Sequence, residues 1–242
     1  MQKRAAAADE FPSTQWSLVA RAGGQQQAAR QAVEELCNLY WYPVYSFFRR
    51  RAATVDAAED LTQGFFTHLL DGELVAAADA KQGRFRAYLI GCCRNYMLDQ
   101  HRRESAKKRG GAARRVPIDF AEAEARFRRE PKTEGDPERL FLRTWALTLI
   151  EQAVSAVRQE YAAAGKAPLF DRLRPALTRD PDAEGYRAIG DNLGLSENAV
   201  KKAAQELRKK YGVALRHRIR LTIASADDLD DEIRELFAAV AG

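Results

Sequence analysis

The chain has 242 residues, 46% of them hydrophobic and 30% charged, which suits one large or two small domains and argues against wholesale disorder. Three cysteines (Cys37 and the adjacent Cys92-Cys93) and three histidines (His68, His101, His217) give neither a disulfide framework nor a zinc-type spacing, so no metal or cofactor is expected. The net charge of +5 is unevenly spread: residues 101–115 hold seven basic side chains against Glu104 alone, a net +6, and residues 201–220 hold eight against Glu206 alone, a net +7. Two basic patches on an otherwise acidic chain suit a polyanion held at two places.

The start, Met1-Gln2-Lys3-Arg4 followed by alanines and Asp9-Glu10, lacks a signal-peptide apolar region. No stretch approaches the roughly 18 uncharged apolar residues of a membrane span, so a cytoplasmic protein without a membrane partner is expected. Helix formers dominate and β-branched runs are absent, which predicts an all-α fold. Ser13 and Thr14 can cap a short helix holding Trp16, Leu18 and Val19, broken by Gly23-Gly24. Residues 26–51 read as a long helical stretch with Val33, Leu36, Tyr40, Val44 and Phe47 or Phe48 on one face, kinked or restarted at Pro43. A helix over 56–70 opens with Asp56, Glu59 and Asp60, suited to the positive end of the helix dipole, and carries Leu61, Phe65 and Leu69 as an apolar stripe. After a loop at 71–82, a helix over 84–104 is apolar at Phe85, Tyr88, Leu89, Cys92 and Tyr96, where the rings of Phe85 and Tyr88 suit either the core or stacking on unpaired bases, and becomes densely basic towards its end.

Periodicity fails over 105–135, where Gly110-Gly111, Pro117, Pro131 and Gly135 interrupt mixed charge. This segment reads as a linker, with at most a transient helix at 119–130. Asp136-Pro137-Glu138 then starts a helix to about 163 with Phe141, Trp145, Leu149, Ala153, Val157 and Tyr161 as core. A short helix with Leu169, Phe170, Leu173 and Leu177 follows, ended by Asp180-Pro181-Asp182.

Over 186–210 the pattern is that of a helix-turn-helix: Ile189, Leu193, Leu195 and Val200 are apolar, Gly190 is small where helices must cross, Gly194 supplies the turn and Ser196 caps the second helix. That helix offers Asn198, Lys201, Lys202, Gln205, Arg208 and Lys209 to DNA, the lysines for phosphates and Asn198, Gln205 and Arg208 for base edges. An acidic amphipathic helix over 227–240, with Leu229, Ile233, Leu236 and Phe237 on one face, ends the pattern; either it completes the core of the C-terminal domain or, folded over the basic helix, it lowers non-specific DNA affinity. Neither clustered carboxylates nor a nucleophile with its base is present, so no enzyme and no small-molecule substrate is expected.

Three of these stretches resemble a known family, the extracytoplasmic-function (ECF) group of sigma factors, minimal members of the housekeeping sigma family of bacterial RNA polymerase. Asp56-Ala-Ala-Glu-Asp-Leu-Thr-Gln-Gly-Phe-Phe resembles the region-two helix that docks on the polymerase clamp helices, and Phe85 to Arg103 resembles the helix that recognises and opens the minus-ten element. The helix-turn-helix resembles region four, which reads the minus-thirty-five element and meets the polymerase flap. The resemblance implies a region-two domain over 1–104, a linker over 105–135 and a region-four domain over 136–242. It implies core-polymerase binding by Asp60, Leu61 and Gln63, minus-ten contacts by Phe85, Tyr88, Arg94, Asn95, Arg102 and Arg103, and minus-thirty-five contacts by Ser196 together with the six recognition-helix residues above. Its partners would be core RNA polymerase and promoter DNA, with an anti-sigma factor or a regulatory kinase as candidate regulators; Thr62 is the hydroxyl a kinase would meet on the docking helix. Gly64 departs from the family pattern, which has an acid there. The competing expectation is a stand-alone helix-turn-helix regulator, which would need neither the acidic helix nor the aromatic-basic one and would usually dimerise on a palindrome.

Overall fold

The computed structural model describes residues 26–70, 84–106, 118–130, 136–179, 181–223 and 228–241; the side chains of 26–36, 70, 103–106, 183 and 184 are not among those described. The expected helix around Trp16, the loop at 71–82 and the basic residues 107–115 lie outside them. Among the described residues the fold is all-α, as the composition predicts. The described residues hold nine α-helices: α1 Gln26–Arg49, α2 Val55–Leu70, α3 Phe85–Ala106, α4 Phe120–Arg129, α5 Pro137–Ala163, α6 Ala167–Leu173, α7 Ala183–Leu193, α8 Glu197–Arg220 and α9 Leu229–Ala241, with a 3-10 turn at Arg174–Leu177.

The ends follow local chemistry. Asp119, Asp136, Asp182 and Ser196 each accept a backbone N–H of the following turn, at 3.0, 3.3, 2.8 and 3.3 Å, so four helix starts are capped by the residue type that does it best. α5 stops where Gly165 takes φ +70° and Lys166 N–H returns to the Tyr161 carbonyl at 2.8 Å. α1 runs unbroken through Pro43, so the alternative of a new helix there is not realised.

α5 is the central helix, packed by α1, α8 and α9. Against the expectation that no stretch approaches a membrane span, it is long and apolar enough to cross a membrane by length and composition, with a mean hydropathy of 1.2 in its best window. Its apolar stripe instead faces protein: Phe141, Trp145, Leu149, Ala153, Val157 and Tyr161 are all buried. Phe141 stacks on Tyr40 at 6.5 Å and meets Phe47 edge-on at 6.3 Å, while Phe48, Phe65 and Tyr96 continue the aromatic core into α2 and α3. Each such ring contributes about 1.5–3 kcal/mol by burial, which explains why α1 and α5 stay together across more than a hundred residues of chain. Leu215 and Ile219 of α8 and Leu236 of α9 join this same core, and a second core of α5, α6, α7 and the first half of α8 adjoins it.

The segment read as a linker contains α4, and this helix is docked. Glu124 accepts from Tyr45 Oη at 2.7 Å and from Arg49 Nε at 3.0 Å; Glu130 accepts from Tyr42 Oη at 2.6 Å and pairs with Arg50. The guanidiniums of Arg49 and Arg50 lie over the Phe127 ring, and that of Arg126 over Tyr42 at 3.8 Å. Burial pushes both tyrosine hydroxyls up, and their carboxylate partners push them further, so each stays a donor. The helix is amphipathic, but its buried residues are Ala123 and the acid Glu124, with Phe120 and Phe127 packed beside them, too short an apolar pattern for periodicity alone to find.

Candidate nucleic-acid interface

The candidate polymerase-docking helix is α2. Asp60 is exposed, and Leu61 and Gln63 are half-buried on the core's edge. Partial burial, then Asp56, Asp60 and Glu124, push the Glu59 carboxyl above its usual range, a mark of crowded negative charge on this side. Thr62 is fully buried and its hydroxyl donates to the Ala58 carbonyl at 2.7 Å, so a kinase cannot reach it in this arrangement. A side chain at Gly64 would collide with the Tyr96 hydroxyl, whose ring is wedged among Phe48, Phe65 and His68. Glycine at 64 is therefore a packing requirement of α2 on α3.

On α3 the candidate residues divide. Phe85 is 1% exposed, edge-on to Tyr40 at 5.6 Å and 6.2 Å from Tyr88. This corrects the minus-ten contact expected of Phe85 and settles its ring as core, where it anchors the first turn of α3. Tyr88 is half-buried, and burial followed by a hydrogen bond with Cys92 pushes its hydroxyl up to about 12. The thiols of Cys92 and Cys93 are pushed up by burial too and stay protonated. Arg94, Asn95, Leu98, Asp99 and Arg102 form an exposed strip at helical spacing. Arg102 lies 3.6 Å from Asp99, and Arg94 is paired with Glu138 of α5. Arg103 continues the same helix, its side chain outside the described residues.

The turn between α7 and α8 has the features read from its pattern. Gly194 takes φ +65°, Leu195 N–H donates to the Gly190 carbonyl at 2.9 Å, and a Cβ on Gly190 would sit 2.5 Å from the Leu195 carbonyl oxygen. Only glycine lets the two helices approach this closely. Val200 is buried as expected, whereas Leu195 remains partly exposed. Asn198, Lys202, Gln205 and Lys209 face outward. Arg208 does not: Nε donates to the Ala176 carbonyl at 3.0 Å and Nη2 to the Tyr186 hydroxyl at 3.3 Å. The expectation that Arg208 reads a base is corrected accordingly, since its guanidinium ties α8 to the turn at 174–177 and to α7. Lys201 is half-buried, donates to Glu197 at 2.7 Å and lies 5.9 Å from the Tyr186 ring. Ser196 serves as the helix cap.

One feature of this region escaped sequence reasoning. Arg84 and Arg86, at the start of α3, both pair with Glu232 and Glu235 of α9. Glu232 is fully buried and Arg86 5% exposed, with the Arg86 guanidinium 4.6 Å over the Trp145 ring and Thr222 Oγ1 3.2 Å from Glu232 Oε1. The acidic helix therefore sits on α5, α8 and the arginines of α3, not across the basic face of α8, and Phe237 is left 53% exposed instead of joining its apolar side. Two arginines at a helix start oppose the dipole, and that was the available sign that acids must come from elsewhere.

No curated protein and no solved structure matches the chain. Residues 40–107, which run from α1 through α3, match the family model of Sigma-70 region 2; the match supports a sigma-factor role in RNA polymerase binding and promoter melting.

Proposed function

We propose that the chain is an ECF-type sigma factor, a cytoplasmic protein that binds core RNA polymerase and directs initiation at promoters carrying minus-thirty-five and minus-ten elements. The observation that carries this is the Sigma-70 region 2 match over α1 to α3, to which the outward lysines of a helix-turn-helix are added from elsewhere in the chain. Residues 1–104 act as the region-two domain, 105–135 as the connection and 136–242 as the region-four domain. Asp60, Leu61 and Gln63 contact the clamp helices. Tyr88, Arg94, Asn95, Arg102 and Arg103 engage the minus-ten element, where binding of the extruded strand offsets the cost of unpairing, while Phe85 positions Tyr88 from the core. Asn198, Gln205, Lys202 and Lys209 read or hold the minus-thirty-five element; Ser196, Lys201 and Arg208 set the pose of their helix. An anti-sigma factor remains a candidate partner.

The test is co-purification with core RNA polymerase from a bacterial lysate, with the Asp60→Ala, Gln63→Ala double variant as control, followed by run-off transcription. Retention of the wild type and loss of the folded variant support the proposal. A folded wild type that binds DNA but not polymerase is a stand-alone helix-turn-helix regulator instead.

A further inference from the structure

The first turn of α5 meets α3 at a cluster of four charged residues. Arg94 of α3 pairs with Glu138, which lies two residues past the helix cap Asp136. Arg51, at the end of α1, donates to the Phe47 carbonyl at 3.1 Å with its guanidinium 3.8 Å over the Phe47 ring. Burial, then the nearby Arg94 charge, lower the Arg51 pKa while Asp136 opposes them, so both arginines and both acids share one junction. Arg94 is 56% exposed and Glu138 32%, so the pair stands at the surface beside Asn95, on the strip assigned to DNA.

We infer that Glu138 is a built-in competitor for DNA phosphate: its carboxylate occupies on Arg94 the place that a phosphodiester takes on binding, and so weakens engagement of α3 with non-cognate DNA. The inference rests on the sigma-factor reading of α3. A carboxylate and a phosphodiester oxygen offer a guanidinium the same charge-assisted acceptor. Exchange requires only that the exposed Arg94 side chain rotate from one to the other; α5 itself, fixed in the core, stays in place. An exposed pair of this kind is weak enough for a phosphate to displace. Glu138 also suits the positive end of α5, a structural role that does not depend on Arg94.

The experiment compares wild type, Glu138→Gln, Arg94→Ala and the double variant as full chains, by fluorescence anisotropy on a labelled mixed-sequence DNA duplex across a salt series. Circular dichroism and thermal unfolding verify that each variant is folded. Glu138→Gln is expected to bind about two- to fivefold more tightly, with a log–log salt slope steeper by about 1, the signature of one more phosphate contact. In the Arg94→Ala background the same substitution should change neither. An unchanged affinity for Glu138→Gln, or an equal gain with Arg94 absent, overturns the inference. Failure of the underlying reading looks different: Arg94→Ala would then leave affinity and salt slope untouched even with Gln at 138. If Arg94→Ala weakens binding but Glu138→Gln does nothing, α3 keeps its role and only the competition is lost.

Discussion

α3 and α8 are both long and basic, yet their cations keep different company. Arg84, Arg86 and Arg94 of α3 are each paired with a carboxylate of the C-terminal half, Glu232 and Glu235 for the first two and Glu138 for the third. In α8 Arg208 points inward to Ala176 and Tyr186, the half-exposed Lys201 and Lys210 pair with Glu197 and Glu160, and Lys202 and Lys209 face water. Positive charge along a helix thus has two uses here. In α3 it first joins the halves of the molecule; in α8 the outward positions are left for a polyanion. Net charge locates a candidate surface, and the partner map decides which of its cations are available.

The sharpest way to break this comparison is to remove the buried acid. Glu232→Ala leaves the nearly closed Arg86 with only the exposed Glu235 as its carboxylate partner and should cost about 3–5 kcal/mol, read as a lowered urea midpoint. A loss under about 1 kcal/mol would mean that the α3 arginines are not structural. The docking of α4 on α1 extends the comparison to a further acid, Glu124. Burial raises the Glu124 carboxyl, but hydrogen bonds from Arg49, Tyr45 and Arg128 outweigh it and hold its pKa below the ordinary 4.5. A depressed acid contributes stability that is present above its unfolded value and lost as pH falls through the folded one. Acidification from 4.5 downward should therefore release α4, and Glu124→Gln should cost about 1.5–3 kcal/mol near neutrality and remove that pH dependence. Glu59, whose raised carboxyl contributes with the opposite sign, makes a local probe necessary, and hydrogen exchange along Phe120–Arg129 supplies one. On the α8 side the pose depends on close packing: Gly190→Ala drives a methyl into the Leu195 carbonyl and should cost about 1–3 kcal/mol by thermal unfolding.

Apolar periodicity made much of this architecture legible. The six-residue stripe of α5, the buried faces of α1 and α2, and the crossing at Gly190 with its turn at Gly194 all follow from spacing and residue size. Polar burial was not legible. α4 docks through Glu124 and Glu130, and α9 through Glu232, residues that a hydrophobic pattern assigns to solvent. Arg208 looks like a base reader in sequence because it follows Lys201 and Gln205 along the helix, but seven residues after Lys201 brings it back to the side of α8 that meets Tyr186. Phe85 was ambiguous for a related reason: an aromatic at a helix start serves equally as an anchor or as an outward ring, and only the position of Tyr40 decides between them.

That division within α8 gives the smallest effect on stability and the cleanest one on binding. Lys202→Ala removes an exposed cation and should change stability by less than about 0.5 kcal/mol, while weakening binding to a DNA duplex and reducing the salt slope by about 1. Arg208→Ala should show the reverse order of effects. It removes the hydrogen bonds to the Ala176 carbonyl and the Tyr186 hydroxyl, so α7 and α8 lose about 1–3 kcal/mol of stability, while the salt slope stays as it was because no phosphate contact is removed. Measuring the slope rather than affinity alone separates the two, since a loosened α8 also lowers affinity but keeps its count of phosphate contacts. A reduced slope for Arg208→Ala would mean that the guanidinium leaves Ala176 on binding DNA, and this inward cation of α8 would then be a reserve for the polyanion in the same way as Arg94.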